Sequence, residues 1–158
     1  LLGCWRHQDN IGNTKIRQLE MTWPLTSLPT WILSSAVTRS HQILRHHLES
    51  AGVDGYEYRC LSALAHTNEL SQAELGNAAV LDPRDVTHTV RRLEIRGLVS
   101  RKKDPNHGRK VLVSLTDAGV ATTGQLDRVM ADVQDEVFGR LSQDERNALL
   151  GLLERVAT

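Results

Sequence analysis

Apolar positions recur at steps of three and four over several stretches of the chain, a period that predicts amphipathic helices. The first stretch begins at Thr26 or Ser27, accepts Pro29 in its first turn and ends at Gly52. A shorter helix follows, and its apolar residues on one side are Tyr56, Cys60, Ala63 and Leu64. Two more helices are predicted after Thr116. Their apolar stripes are Leu126, Met130, Val133, Val137 and Leu141 in the first, and Leu149, Leu152, Leu153 and Val156 in the second.

Capping signals mark where two of the helices begin. Ser142 and Glu145 have the spacing of a capping box, in which each side chain accepts a hydrogen bond from the other residue's backbone N–H. Ser71 and Glu74 repeat this spacing and predict a short helix that starts at Gln72. Because the positive end of a helix dipole attracts anions, Ser71 and Gln72 are predicted to contact a phosphate group.

The stretch from Leu81 to Thr116 contains the helix with the clearest ends. Asp82 is suited to cap its N-terminus, Pro83 to its first position, and Gly97 to the left-handed conformation after its last turn. At about 100° per residue, one narrow stripe of this helix is apolar and the other side is cationic. The apolar stripe is Val86, Val90 and Leu93, and the cationic side is Arg84, His88, Arg91 and Arg92.

After this helix the period changes from about 3.6 residues to two. Val111, Val113 and Leu115 share one side of a strand, and Asp104 to Gly108 supplies turn residues between two strands. A short capped helix, a cationic helix and a basic β-hairpin follow one another in the order of a winged helix-turn-helix. The predicted fold class is therefore mainly α with a small β-hairpin wing.

Positive charge is concentrated in this part of the chain. From Arg84 to Lys110 there are nine Arg or Lys residues and three acidic residues, so the segment carries +6. Since the whole chain has a formal net charge of zero, the remainder carries −6. A single basic run is usually only a solvated face, but a basic helix followed by a basic hairpin favours a surface that meets nucleic-acid phosphates.

The composition excludes several classes of protein. No apolar run approaches the roughly 18 residues of a membrane helix, so we expect a soluble protein without a membrane partner. Cys4 and Cys60 form no disulfide framework and no secretory pattern is visible, which favours a cytoplasmic location. Three Trp, two Tyr and one Phe are few for single-strand binding by base stacking. The sequence shows no nucleophile–base pair, phosphate loop or metal-spaced cluster, so we expect neither an enzyme nor a cofactor.

The terminal helices carry more apolar surface than a small winged helix can cover. Residues 117–158 also hold eight acidic and four basic residues, which disfavours contact with DNA. The terminal helices are therefore predicted to pack together and against a second copy, giving a homodimer. In this layout, residues 1–26 are an extension that is weakly ordered or forms a short extra helix. Residues 27–53 and 117–158 are dimerisation helices, and 54–116 form the winged helix-turn-helix DNA-binding domain.

From about Leu28 to Thr158 the sequence resembles the MarR (multiple antibiotic resistance regulator) family of bacterial winged-helix transcription factors. The motifs that carry the resemblance are Gly52 to Leu61, Leu70 to Leu75, Val86-Thr87 with Leu93-Glu94 and Gly97-Leu98-Val99, and Val113 to Gly119. The resemblance implies a homodimeric regulator of transcription, commonly a repressor, that binds a pseudo-palindromic operator in double-stranded DNA. It also implies a small, often phenolic ligand that binds between the dimerisation and DNA-binding parts and releases the DNA.

Positions matched to the family assign roles on the DNA. Expected at base edges in the major groove are Arg84, Asp85, Thr87 and His88, while Arg91 and Arg92 are expected nearer phosphates. Also assigned to the DNA-binding surface are Arg101, Lys102, Lys103, Arg109 and Lys110. The family's wing holds Asp-x-Arg at its tip, with the Arg in the minor groove, whereas this chain reads His107-Gly108-Arg109. The Arg is kept, but His107 cannot act as the anionic partner that orients it.

Three residues are candidates for the ligand pocket. Trp31 on the first helix and Tyr58 on the second are the aromatic candidates, and His41 is a polar partner. Core packing is the simpler role for Trp31 and Tyr58. A solvated or hydrogen-bonded side chain is the simpler role for His41.

Three other functions fit parts of the sequence. A redox sensor would need a reactive thiol, but the spacing of Cys60 from apolar neighbours predicts a buried, inert one. A zinc sensor would use His41, His46, His47 and Glu49, but the adjacent residues His46 and His47 diverge by about 100° on a helix and do not face one ion easily. A winged helix can also be a protein-interaction module without DNA binding. Its partner binding would be insensitive to salt, whereas DNA binding weakens steeply with salt.

Overall fold

The computed structural model describes residues 24–105 and 110–157 of the chain. In these two stretches it contains one 3-10 turn at Leu25–Ser27, six α-helices and three short β-strands. The helices are α1 (Pro29–Ser50), α2 (Gly55–Ala65), α3 (Gln72–Ala79), α4 (Pro83–Ile95), α5 (Asp117–Phe138) and α6 (Gln143–Ala157). The strands are β1 (Leu70–Ser71), β2 (Val99–Lys103) and β3 (Val111–Leu115). The predicted mainly α fold with a β-hairpin wing is confirmed.

The chain divides into two units inside α1, the first ending at Ser34 and the second beginning at Ser35. The described part of the first unit holds the 3-10 turn and the first residues of α1, and its Trp31 is 45% exposed. The predicted start of this helix at Thr26 or Ser27 is slightly early, because Pro29 takes the first helical position. Residues 1–23 of the predicted extension lie outside the described residues.

The core of the second unit lies where α2, α3 and α4 pack on one another and on the sheet. The predicted apolar stripe of α4 is fully buried. Cys60 is buried as predicted, whereas Tyr56, which shares the predicted side of α2 with Cys60, is 46% exposed. On the helix wheel Tyr56 lies about 90° from the centre of the stripe that α2 buries. That stripe is Glu57, Cys60, Leu61 and Leu64.

The three strands form an antiparallel sheet in the order β1-β3-β2. The predicted hairpin is confirmed by the pairing of β2 with β3, in which Val99 lies opposite Leu115 and Lys103 opposite Val111. The turn residues 106–109 lie outside the described residues. Strand β1 was not expected, because two residues are too few to show a period of two. Its pairing with β3 ties the start of α3 to the wing.

The predicted capping box of Ser71 and Glu74 is present at the start of α3. At α5 the hydroxyl of Thr116 caps the helix by accepting a hydrogen bond from the N–H of Gly119. Gly119 packs so tightly that a Cβ there would lie 2.0 Å from the carbonyl oxygen of Leu98, which fixes α5 against the start of β2. Across the described ranges, no helix is long and apolar enough to cross a membrane.

Three helices end in the same motif, in which two backbone N–H groups bond back to the last turn. In α1 the left-handed residue is Gly52 (φ +74°), and in α4 it is Gly97 (φ +69°), as predicted. In α3 the equivalent residue is Val80, with φ 52° and ψ 52°. Its N–H bonds the carbonyl of Asn77 at 3.3 Å, and the next N–H bonds the carbonyl of Gly76 at 2.9 Å. A β-branched residue is strained in this conformation, which glycine adopts readily.

Replacing Val80 with glycine is expected to raise the free energy of unfolding by about 1 kcal/mol, because relief of the left-handed strain exceeds the entropy cost of glycine. Val80 is 75% exposed, so the change removes little buried apolar surface. Urea unfolding followed by circular dichroism measures the difference, with Gly97→Val as the reciprocal variant that loses stability. A lower stability for Val80→Gly would show that the side chain, and not the backbone, determines this turn.

Candidate nucleic-acid interface

Helix α4 presents its predicted cationic side to solvent and is fixed at its first turn. The Asp82 carboxylate accepts hydrogen bonds of 2.9 Å from the N–H groups of Arg84 and Asp85. The Thr87 hydroxyl donates to the carbonyl of Pro83 at 2.8 Å, so its oxygen lone pairs and methyl group remain for an outside partner. The exposed side chains are Arg84, Thr87, His88, Arg91 and Arg92, with Asp85 half-buried beside them. Thr89 is buried with the apolar stripe, which its polar side chain did not suggest.

The start of α3 offers less to a phosphate than the sequence suggested. Ser71 is buried, and its hydroxyl donates to the Glu74 carboxylate at 2.6 Å. Gln72 is half-buried, and its Nε2 has no hydrogen-bond partner within the described parts of the chain. Gln72 lines a cleft of about 270 Å³ between α3 and α4, together with Thr87. The phosphate contact of Ser71 and Gln72 stays a prediction.

On the wing, three cations pair with carboxylates from other elements. Lys102 Nζ lies 2.7 Å from Glu69 Oε2, and Arg101 donates to the carboxylate of Glu94 on α4. Lys110 Nζ lies 3.2 Å from Glu74 Oε1. Hydrogen bonds from Ser71, with a further one from Lys110, lower the pKa of Glu74 to about 2. The pairs bring β2 and the start of β3 into contact with residues of neighbouring elements. Arg109, the predicted minor-groove residue, and His107 lie outside the described residues.

A cluster of four charged residues joins the start of α2 to the second half of α4. The Glu57 carboxylate is buried and lies 2.7 Å from Arg96 Nη1 and 2.9 Å from Arg92 Nη2. Arg92 also donates to Asp54, whose other oxygen caps α2. Partial burial raises the pKa of Asp54, but the hydrogen bonds from Arg92 and the backbone outweigh it and leave the pKa below its ordinary value.

This cluster was missed in the sequence, although one signal for it exists. Asp54 and Glu57 have the spacing of a capping box, and the structure shows both of its hydrogen bonds. The spacing marks the start of α2. It does not show that the Glu57 carboxylate continues to Arg92 and Arg96, because those residues lie 35 and 39 positions away.

Two of the three ligand-pocket candidates line separate cavities of the second unit. Trp31 belongs to the first unit. His41 lines a cavity of about 260 Å³ at the junction of α1 and α2, next to Arg45 and Asp54. Tyr58 lines a cleft of about 350 Å³ between α2 and α5, whose polar residues include Ser62, His66, Thr123 and Asp127. His41 and Tyr58 therefore do not line the same cavity.

Two residues considered for redox or zinc sensing, Cys60 and His47, have other environments in the structure. Cys60 is fully buried, and burial raises the pKa of its thiol to about 11, which disfavours the reactive thiolate. His47 Nε2 forms a hydrogen bond of 2.8 Å with Glu136 Oε2 on α5. The imidazole of His47 is thus turned to α5, and its ring lies nearly perpendicular to that of His46 at an interplanar angle of 82°.

Comparison with known proteins gives one consistent family. The model of the MarR family matches residues 56–111, which run from α2 to the start of β3. The HTH-type transcriptional repressor NicR of Pseudomonas putida is 30% identical over 125 residues, covering 79% of this chain and 79% of NicR. A crystal structure of a probable transcriptional regulator from Pseudomonas aeruginosa matches with a TM-score of 0.73 and 30% identity, over 84% of this chain and 99% of its own.

A second solved structure is similar over nearly the same part of the fold. It is that of Bordetella bronchiseptica BpsR, and it concerns the regulation of BpsR DNA binding by 6-hydroxynicotinic acid. Its TM-score is 0.71 at 27% identity, and the match covers 80% of this chain and 96% of BpsR.

Proposed function

This chain belongs to the MarR family of transcriptional regulators, and we propose that it acts as a homodimeric repressor that binds a pseudo-palindromic operator in double-stranded DNA. Its relatives are regulators and not enzymes. The proposed domain layout keeps residues 54–116 as the DNA-binding domain and assigns 27–53 and 117–158 to dimerisation. Release of the DNA by a small aromatic ligand completes the proposal.

The exposed side of α4 carries the DNA-binding part of the proposal. Arg84, His88 and Arg91 are exposed on a helix whose opposite side is fully buried, so they project together from a rigid support. Arg84 and Arg91 form no ion pair with any described residue, which leaves their charges for phosphates or base edges. Such a helix fits the major groove of a DNA duplex.

The apolar surface of α6 supports the homodimer. This helix of 15 residues buries none of its side chains within one chain. Leu150 is 59% exposed, Leu152 56% and Val156 71%, and the cleft between α5 and α6 adds Phe138 and Leu153. A second copy that covers this surface would place two α4 helices on half-sites about one helical turn, roughly 10 bp, apart or a multiple of that distance.

For the ligand, the cleft at Tyr58 is the candidate site in this proposal. Apolar residues such as Leu126 and Val120 line it together with the hydroxyls of Tyr58 and Ser62 and the imidazole of His66. BpsR, a relative in fold, has its DNA binding regulated by a hydroxylated aromatic acid. A ligand of that class would bind the DNA-incompetent state more tightly than the competent one. Bound DNA would then weaken the affinity for the ligand by the same factor by which bound ligand weakens the affinity for DNA.

A gel-shift experiment tests the proposal as a whole. The protein is expected to retard duplex DNA from upstream of its own gene, and 6-hydroxynicotinic acid, or another hydroxylated aromatic acid from a small panel, is expected to reverse the shift. The same compound should raise Tm of the free protein by mass action. Failure to retard any upstream duplex would contradict DNA binding. Retardation that no compound reverses, with no change in Tm, would contradict only the effector.

A further inference from the structure

Most cations near the proposed DNA contact are already paired with carboxylates. Eight Arg or Lys side chains between Arg84 and Lys110 lie in the described residues, and we call them the basic surface. Five of the eight form ion pairs inside the chain, namely Arg92, Arg96, Arg101, Lys102 and Lys110. A phosphate that approaches these five meets a carboxylate already in place.

The carboxylates fall into two groups. Asp54 and Glu74 cap helices, and Glu57 is buried, so these three have structural roles. Glu69 and Glu94 cap no helix, and their side chains are 38% and 36% exposed. Exposed ion pairs contribute little to folding stability, so stability does not account for Glu69 and Glu94.

Both carboxylates hold cations of strand β2, next to α4. Lys102 Nζ is 2.7 Å from Glu69 Oε2, and Arg101 donates to Glu94 Oε2. The hydrogen bond from Arg101 lowers the pKa of Glu94, so this carboxylate stays charged over the physiological range of pH. A DNA phosphate, like a carboxylate, offers anionic oxygens to Arg and Lys. It is therefore the alternative partner for Arg101 and Lys102.

We propose that Glu69 and Glu94 set the affinity of the protein for DNA by competing with backbone phosphates for Lys102 and Arg101. This inference rests on the proposed DNA binding. In the free protein each cation is neutralised by its carboxylate. On binding, the cation moves to a phosphate, and the freed carboxylate attracts a cation from solution. The exchange lowers affinity for every duplex sequence, since phosphates carry no sequence information.

The exchange has a distinct effect on the salt dependence. An unpaired Lys or Arg side chain that binds a phosphate displaces about 0.9 salt cation from the DNA. A side chain that first leaves a carboxylate gives a smaller net release, because the freed carboxylate attracts a salt cation from solution. Lys103, Arg84 and Arg91 have no ion-pair partner among the described residues and release their share in full. The wild-type slope of log K against log salt is therefore shallower than its number of phosphate contacts implies.

The test uses the full-length chain with Glu69→Gln, Glu94→Gln and the control Thr26→Lys, which makes the same change in net charge at an exposed residue outside the dimer helices and the DNA-binding domain. Fluorescence anisotropy with a labelled upstream duplex and a random duplex gives Kd over a series of salt concentrations. Each glutamine variant is expected to bind both duplexes about three- to ten-fold more tightly at low salt, with a slope steeper by up to about 0.9. The control is expected to stay within about two-fold of wild type, because it adds an exposed, solvent-screened charge without releasing a cation from an ion pair.

A double-mutant cycle assigns the effect to the pair. If Glu94 acts by holding Arg101, then Glu94→Gln gains no affinity in an Arg101→Gln background. Thermal melts check that each variant is folded, and the two glutamine positions are independent tests should one variant unfold. Wild-type affinity and slope in both glutamine variants, or equal gains from Thr26→Lys, would overturn this inference. Absence of salt-sensitive duplex binding by the wild type would instead overturn the proposed function.

Discussion

Replacing Leu152 with glutamate is expected to lower the affinity for operator DNA by about 10²- to 10⁴-fold, because two linked DNA-binding helices bind with an avidity that a single one lacks. Leu152 is 56% exposed on α6, a helix that buries no side chain within one chain. A carboxylate at this position would have to be desolvated between two copies, whereas it costs a monomer little. The variant is therefore expected to be folded, monomeric and weak in DNA binding.

Sedimentation velocity and anisotropy measure the two effects on the same samples. The wild type is expected at twice the chain mass of 17.6 kDa and the variant at the chain mass. Thr26→Glu is the matched control, since it adds the same charge to an exposed residue outside the proposed dimer helices and the DNA-binding domain. A Leu152→Glu protein that remains dimeric would remove α6 from the dimer interface. A monomer that keeps wild-type affinity would show that DNA binding does not need the dimer.

Arg84→Ala is expected to weaken binding to the operator by about 1–3 kcal/mol and to leave binding to random duplex nearly unchanged. Arg84 lies in the first turn of α4, where its backbone N–H is fixed by Asp82 and its side chain is exposed. It forms no ion pair with another described residue. An arginine so placed can donate two hydrogen bonds to one guanine edge, which discriminates between bases.

Arg91→Ala provides the comparison for Arg84→Ala, because Arg91 is expected to contact phosphate from the same helix. It should weaken operator and random duplex equally and reduce the salt slope by roughly one. Competition titrations against both duplexes separate the two roles. Equal losses on operator and random DNA for Arg84→Ala would refute its assignment to a base edge.

The ends of the central helices were predictable because the signals are local. Asp82, Pro83 and Gly97 act within one turn of the residues they cap, and the structure shows each in its expected role. The buried stripe of α4 was predictable for the same reason, since helix periodicity fixes which side chains share a face. Val80 departs from this logic, because nothing in its own sequence neighbourhood suggests a left-handed valine.

Contacts between distant elements could not be read from the chain. Strand β1 exists only because Leu70 and Ser71 meet Val113 and Leu112 in the sheet. The ion pairs of Arg92 with Glu57 and of Lys102 with Glu69 likewise depend on the fold. The sequence correctly predicted where the positive charge lies, but the prediction treated all these cations as free to bind phosphate. The structure shows that several are already held by carboxylates, and this difference leads to the proposed role of Glu69 and Glu94.

The most direct test of the account is the affinity of the wild-type protein for its upstream duplex, measured by anisotropy at about 50 mM and about 200 mM salt, with single-stranded DNA in parallel. We expect a dimer to bind the duplex in the nanomolar range, to lose several orders of magnitude of affinity at the higher salt, and to bind the single strand more weakly. Affinity that does not change with salt, or a preference for the single strand, would contradict this expectation.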